Sequence, residues 1–109
     1  MSFIDTTVVR VFAADKLKKA KLFETKDLFC DIYCLEPGQA QRPHAHADAT
    51  KFYHVIEGTG DFQVGERRAR LGPGGLAYSL PSEIHGVENP GPDRLVLLVV
   101  MAPNPNQKA

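Results

Sequence analysis

The sequence predicts an all-β fold, a sandwich or barrel of short strands, and three observations carry that prediction. Gly and Pro punctuate the chain every eight to fifteen residues, in "EPGQ", "EGTG", "VGER", "LGPGG", "LPSE" and "ENPGPD". The segments between these marks are short and either apolar or alternating. None keeps a 3.6-residue period over three turns, as an amphipathic helix would.

In chain order, strands are predicted at 6–12, 26–35, 41–46, 51–57, 60–64, 67–71, 76–80, 86–88 and 93–101, with one short helix near 14–19. The segment 26–35 holds "LFCDIYCL", apolar with β-branched and aromatic residues. Gly65 and Glu66 fall between two strands, and glycine supplies the positive φ that a two-residue II′ hairpin turn needs first. Residues 93–101 are apolar at nearly every position, the pattern of a central strand covered on both faces. The tail 103–109, "PNPNQKA", has two prolines and only a terminal alanine among apolar residues, and is expected to fray.

The chain of 109 residues suits a single domain over 1–109. Thirteen basic residues balance 13 acidic ones, which argues against nucleic acid as a partner, since phosphate neutralisation needs local cationic excess. The basic run "KLKKAK" at 16–21 reads as a solvated turn or short helix face. The longest apolar run, 95–102, is far below the ~20 residues that span a bilayer. With no export signal in "MSFIDTTVVRVF", the sequence places the protein in the cytoplasm. Cys30 and Cys34 lie four apart in a strand, ~13 Å between Cα atoms. A disulfide needs about 7 Å or less, so they read as small buried hydrophobes.

The chemistry gathers in "RPHAHADATKFYHVIEGTG", residues 42–60. Side chains two apart on a strand share a face, so His44 and His46 offer two imidazoles to one point. The third donor comes from His85 in "LPSEIHGVEN". Three neutral imidazoles bind a divalent transition metal (iron, manganese, nickel or zinc) and leave positions open for water or substrate.

The spacing Gly38, His44, His46, position 51, Gly58 resembles the first cupin motif, G-x5-H-x-H-x(3,4)-E-x6-G. Gly74, His85 and Asn89 resemble the second, G-x5-P-x-G-x2-H-x3-N, with Leu80 and Ser82 standing where the motif has its inner proline and glycine. The two motifs span 38–58 and 74–89, about half the chain. The resemblance implies a small jelly-roll β-barrel of two packed antiparallel sheets, with His44, His46 and His85 aimed at a metal inside it. It also implies a glutamate as fourth ligand, and here that position is Lys51.

An ammonium ~5 Å from a divalent ion is repelled by roughly 6–7 kcal/mol at an effective dielectric near 20. Three arrangements avoid this: Lys51 loses its proton and even ligates, its stem swings out to pair with Asp48, or the site holds no metal. The swing to Asp48 costs least on sequence grounds. A lysine beside the site also suits the carboxylate or enolate of an anionic substrate.

Lys51 and Tyr53 are accordingly the candidate catalytic residues. Tyr78 is a further inward candidate, Glu83 reads as a turn residue, and Phe62, Val64, Leu76 and Leu80 read as barrel lining. If Lys51 faces inward, His54 points to the opposite face. Asp48 sits in a solvated loop. The expected function is a mononuclear metalloenzyme of dioxygenase, isomerase or decarboxylase type acting on a small, anionic metabolite. The alternative is a non-catalytic cupin that binds a small metabolite, with or without metal, and does not turn it over. A homodimer is expected from the resemblance and from the exposed sheet edges.

Overall fold

A computed structural model describes residues 2–106. Among these, nine strands form two antiparallel sheets, in keeping with the all-β expectation. The strands are β1 (Lys18–Glu24), β2 (Phe29–Leu35), β3 (Ala40–His44), β4 (Thr50–Glu57), β5 (Gly60–Val64), β6 (Arg67–Leu71), β7 (Leu76–Ser79), β8 (His85–Glu88) and β9 (Leu95–Ala102). One sheet runs β1-β2-β9-β4-β7 and the other β3-β8-β5-β6.

β9 lies third of five, and its first three residues are buried without alternation, as the unbroken run in "LVLLVVMA" predicts. The core lies between the sheets, where Tyr33, Leu35, Tyr53, Val55, Phe62, Val87, Leu95, Leu97 and Val99 pack together. A second cluster covers the outer face of the five-stranded sheet, where Val9 and Phe12 of the N-terminal segment lie on Ile32, Cys34 and Val96. Cys30 and Cys34 are buried and free. No helix of the described residues is long and apolar enough to cross a membrane.

Three expectations need correction. Residues 6–12 are not a strand, since Thr6–Val8 form a 3₁₀ turn capped by the Asp5 carboxylate, which accepts from the Thr7 amide. The helix near 14–19 is absent, and the basic run becomes edge strand β1 instead. Ala20 and Leu22 pack the outer cluster from β1, while Lys19 and Lys21 pair with Tyr33 and Asp31 of β2. Charge on an edge strand blocks further pairing, so a run that looks solvated is also one that an edge tolerates. The tail is not free throughout: buried Asn104 donates to the Glu24 carboxylate and to the Thr25 carbonyl, both at 2.8 Å. Residues 107–109 lie outside those described.

The β5–β6 hairpin closes through Gly65 at φ 61, with Val64 facing Arg67. Gly58 ends β4 for a firmer reason. At φ 83, a Cβ there would stand 2.1 Å from the Arg94 carbonyl oxygen, so the connection into β5 runs beneath backbone that no side chain can share.

Candidate metal centre

Pairing between β3 and β8 steps from Gln41↔Val87 to His44↔His85, three residues on one strand against two on the other. This bulge at Arg42 and Pro43 puts Gln41 and His44 on the same inner face, although they are three apart. Gly86 lies opposite the bulge. A Cβ there would come within 2.9 Å of the Gln41 carbonyl and 3.0 Å of the Pro43 nitrogen, so the bare backbone lets β3 kink.

The bulge aligns the histidines. One nitrogen from each of His44, His46 and His85 lies within 4.8 Å of the others. Ring centroids are 4.4 Å apart for His44–His85, 4.9 Å for His44–His46 and 5.5 Å for His46–His85. Two rings are already oriented from behind. His44 Nδ1 lies 2.8 Å from the Arg42 carbonyl and His85 Nδ1 lies 3.1 Å from the Glu83 carbonyl, so each Nδ1–H donates and each Nε2 keeps its lone pair. Ser79 Oγ adds a contact of 3.1 Å to His85 Nδ1.

His85 is 2% exposed, and its Nε2 is buried with no hydrogen-bond partner. A buried nitrogen so left costs on the order of 1–3 kcal/mol unless something accepts its lone pair. The donor set fits a divalent transition metal on this ground. Burial lowers the pKa of all three rings, that of His85 to about 4 with nearby Lys51 adding to the effect, so the imidazoles are neutral and ligand-ready at pH 7.

Lys51 is where the sequence expectation and the structure part. It does not swing out to Asp48, which is exposed in its loop. The residue is 3% exposed, its Nζ donates to Gln41 Oε1 at 3.0 Å, and it stands 5.0 Å from the Tyr53 ring and 5.5 Å from the Tyr33 ring. Burial first, and the Lys19 charge second, bring its pKa down to about 7. A protonation equilibrium near neutrality eases the clash with a metal that a fixed ammonium would suffer. Tyr53, also buried, donates its hydroxyl to the same Gln41 oxygen, and burial raises the phenol pKa so that it keeps its proton. Asp31 shares the inner face with Tyr33; its Oδ1 is buried without a partner, and burial raises its pKa.

Phe62 is core and Val64 packs against it. His54 faces outward opposite Leu76 and Leu98, as expected. Tyr78, Leu76 and Leu80 do not line the interior; they are 59%, 50% and 52% exposed. The inner positions of β7 are Ala77 and Ser79. Glu83 contributes its backbone carbonyl to His85, while its carboxylate accepts from the Leu80 amide in the turn. Gln41, Tyr33 and Lys19 escaped the sequence reading. Only the bulge brings Gln41 inward, and a bulge leaves no local signal as plain as a histidine pair.

Among the described residues Ser82, at the motif's glycine position, is the non-glycine residue with a left-handed backbone, φ 73. Its amide donates to the His46 carbonyl at 2.7 Å and its hydroxyl to the Ala47 carbonyl at 3.2 Å, tying the turn before His85 to the loop after His46. The left-handed conformation costs a serine about 1–2 kcal/mol. Ser82→Gly, which gives up only the exposed hydroxyl bond, is expected to raise the melting temperature by about 2–5 °C in a calorimetric scan.

Comparison with known proteins agrees with this architecture. The Cupin domain family matches residues 31–101. No curated protein matches the sequence. The TT1209 protein from Thermus thermophilus is similar at 36% identity and TM-score 0.93, over 96% of this chain and 100% of that one. An uncharacterized conserved protein with a double-stranded β-helix domain from Klebsiella pneumoniae subsp. pneumoniae is similar at 23% identity and TM-score 0.89, over 98% and 88%. A predicted oxalate decarboxylase from Thermotoga maritima is similar at 23% identity and TM-score 0.75, over 79% of each chain. With a family match across most of its length and both motif histidine groups converging inside two packed sheets, the chain belongs to the cupin domain family.

Proposed function

We propose that the protein is a mononuclear metalloenzyme acting on a small carboxylate-bearing metabolite, with His44, His46 and His85 as metal ligands and Lys51 and Tyr53 as the catalytic pair. The observation that carries this reading is the unpartnered, buried Nε2 of His85 facing two further imidazoles. Iron, manganese, nickel and zinc all suit three imidazoles. When bound, such an ion supplies Lewis-acid polarisation of a substrate oxygen.

The protein's own residues do the rest. Gln41 Oε1 collects hydrogen bonds from Lys51 Nζ and Tyr53 Oη, so two donors converge on one place. A substrate carboxylate or enolate oxygen arriving there replaces the glutamine oxygen as acceptor. With a pKa of about 7, Lys51 both gives and takes a proton near neutrality, which suits acid–base work. Burial in the core keeps water from competing for these donors. The name of the Thermotoga neighbour is in keeping with a small carboxylate as substrate. A cytoplasmic homodimer is part of the same proposal, from the sequence expectations alone.

The test is metal-loaded protein challenged with oxalate and other small mono- and dicarboxylates, followed by carbon dioxide release and by ligand titration. Turnover or saturable binding is expected, and Lys51→Gln is expected to weaken carboxylate binding about tenfold, the loss of one charge-assisted hydrogen bond, while metal is retained. Binding without turnover would reduce the protein to a carrier of such ligands. Neither binding nor turnover by the loaded protein would end the proposal.

A further inference from the structure

A lysine attacks carbonyl carbon only as the neutral amine, and proteins favour that form by burial or by a second cation close by. Lys51 has both. Its Nζ lies among Gln41, Tyr33 and Tyr53, none of them charged, in a residue 3% exposed. Lys19 Nζ stands 5.1 Å from the centre of the same Tyr33 ring. Among the described residues no carboxylate forms an ion pair with Lys51; Asp31, on the same inner face as Tyr33, acts on it only at longer range. Lys19 is exposed whereas Lys51 is buried, and both ammonium groups lie against the Tyr33 ring.

We propose that Lys51 Nζ is a nucleophile that forms an imine with a small 2-oxo acid, whose carboxylate is held by the Lys19 ammonium. The inference rests on the reading that the barrel interior takes a small carboxylate, and adds covalent chemistry that the metal does not require. The nitrogen lone pair forms the C–N bond as the carbonyl π pair moves to oxygen. The proton on nitrogen passes to that oxygen, giving the carbinolamine. Loss of the hydroxyl with a second proton from nitrogen leaves C=N and one water. Nothing is oxidised or reduced. Tyr53 Oη, which shares Gln41 Oε1 with the amine, is placed to donate a hydrogen bond to the departing hydroxyl.

The test uses the full chain at pH 7 with pyruvate, or with propanal as an uncharged carbonyl, and sodium cyanoborohydride to reduce any imine to a stable amine. Intact mass and peptide mapping are expected to find one adduct per chain, at Lys51. Its labelling should outpace that of any other lysine by at least about tenfold, because burial among uncharged groups favours the neutral amine that attacks carbonyl carbon. Lys51→Arg, which keeps the charge, is expected to abolish the adduct, and Lys19→Gln to slow labelling by pyruvate but not by propanal. Because the site is mapped in the wild-type protein, the result stands even if a variant fails to fold. Label spread over the exposed lysines with Lys51 unmodified would overturn the proposal. Equal effects of Lys19→Gln on both reagents would overturn the assignment of a 2-oxo acid. Metal content and oxalate binding of the same preparations are measured in parallel, so absent labelling in protein that holds metal and binds oxalate sinks the imine alone.

Discussion

His85→Ala is expected to weaken binding of a divalent transition metal by at least about 100-fold, read by competitive titration against a chromophoric chelator. The magnitude exceeds that seen when only a ligand's supporting hydrogen bond is lost, because an inner ligand is removed outright. His85 is the one of the three whose loss is hardest to replace. It is 2% exposed, its Nδ1 is held by Glu83 and Ser79, and its Nε2 has no partner. His54→Ala is the matched control, since His54 lies on the outer face opposite Leu98 and should leave affinity unchanged. Metal binding should also fall with acid, since each imidazole must be neutral to bind.

Lys51→Met is expected to stabilise the metal-free protein at pH 7 by about 2–4 kcal/mol. In the unfolded chain the lysine titrates near its ordinary value of about 10.4. In the fold its pKa is about 7, and each unit of depression is worth about 1.4 kcal/mol against the folded state wherever the unfolded chain stays protonated. The variant gives back the hydrogen bond to Gln41, about 1 kcal/mol, although Tyr53 still donates there. The sign follows from proton counts: between pH 7 and about 10 the unfolded chain holds a proton the native one has released, so wild-type stability rises with pH. Urea unfolding at a series of pH values should show this rise, and Lys51→Met should remove it. The acid limb should survive the substitution. With its folded pKa at about 4, His85 lends stability at pH 7 that is lost as pH falls from about 6.5 towards 4.

The parts of this account legible in the sequence are those where residue type and strand spacing say the same thing. His44 and His46 sit two apart, His85 follows a turn, and Gly58 stands where a Cβ would strike backbone. Apolar continuity marked β9 as central, and Gly65 marked its hairpin. What failed was parity and charge. In "LAYSL" the larger apolar residues face out and Ala77 and Ser79 face in, because the inner position beside His85 needs a small hydroxyl rather than bulk. The basic run at 16–21 hid β1, since an edge strand pairs on one side only and tolerates lysines. Gln41 was invisible because its inward aim depends on a bulge permitted by Gly86, more than 40 residues away in sequence.

The lysine at the motif's glutamate position sharpens the chemistry rather than cancelling it. A glutamate would add negative charge to three neutral imidazoles, whereas Lys51 leaves the centre electron-poor and favours an anionic ligand to complete it. That places the burden of the whole account on the three histidines. The most direct measurement is the metal content of untagged protein, as isolated and after incubation with excess iron, manganese, nickel or zinc. About one ion per chain is expected, bound through imidazole nitrogen. Protein that stays metal-free under every one of these conditions would contradict it.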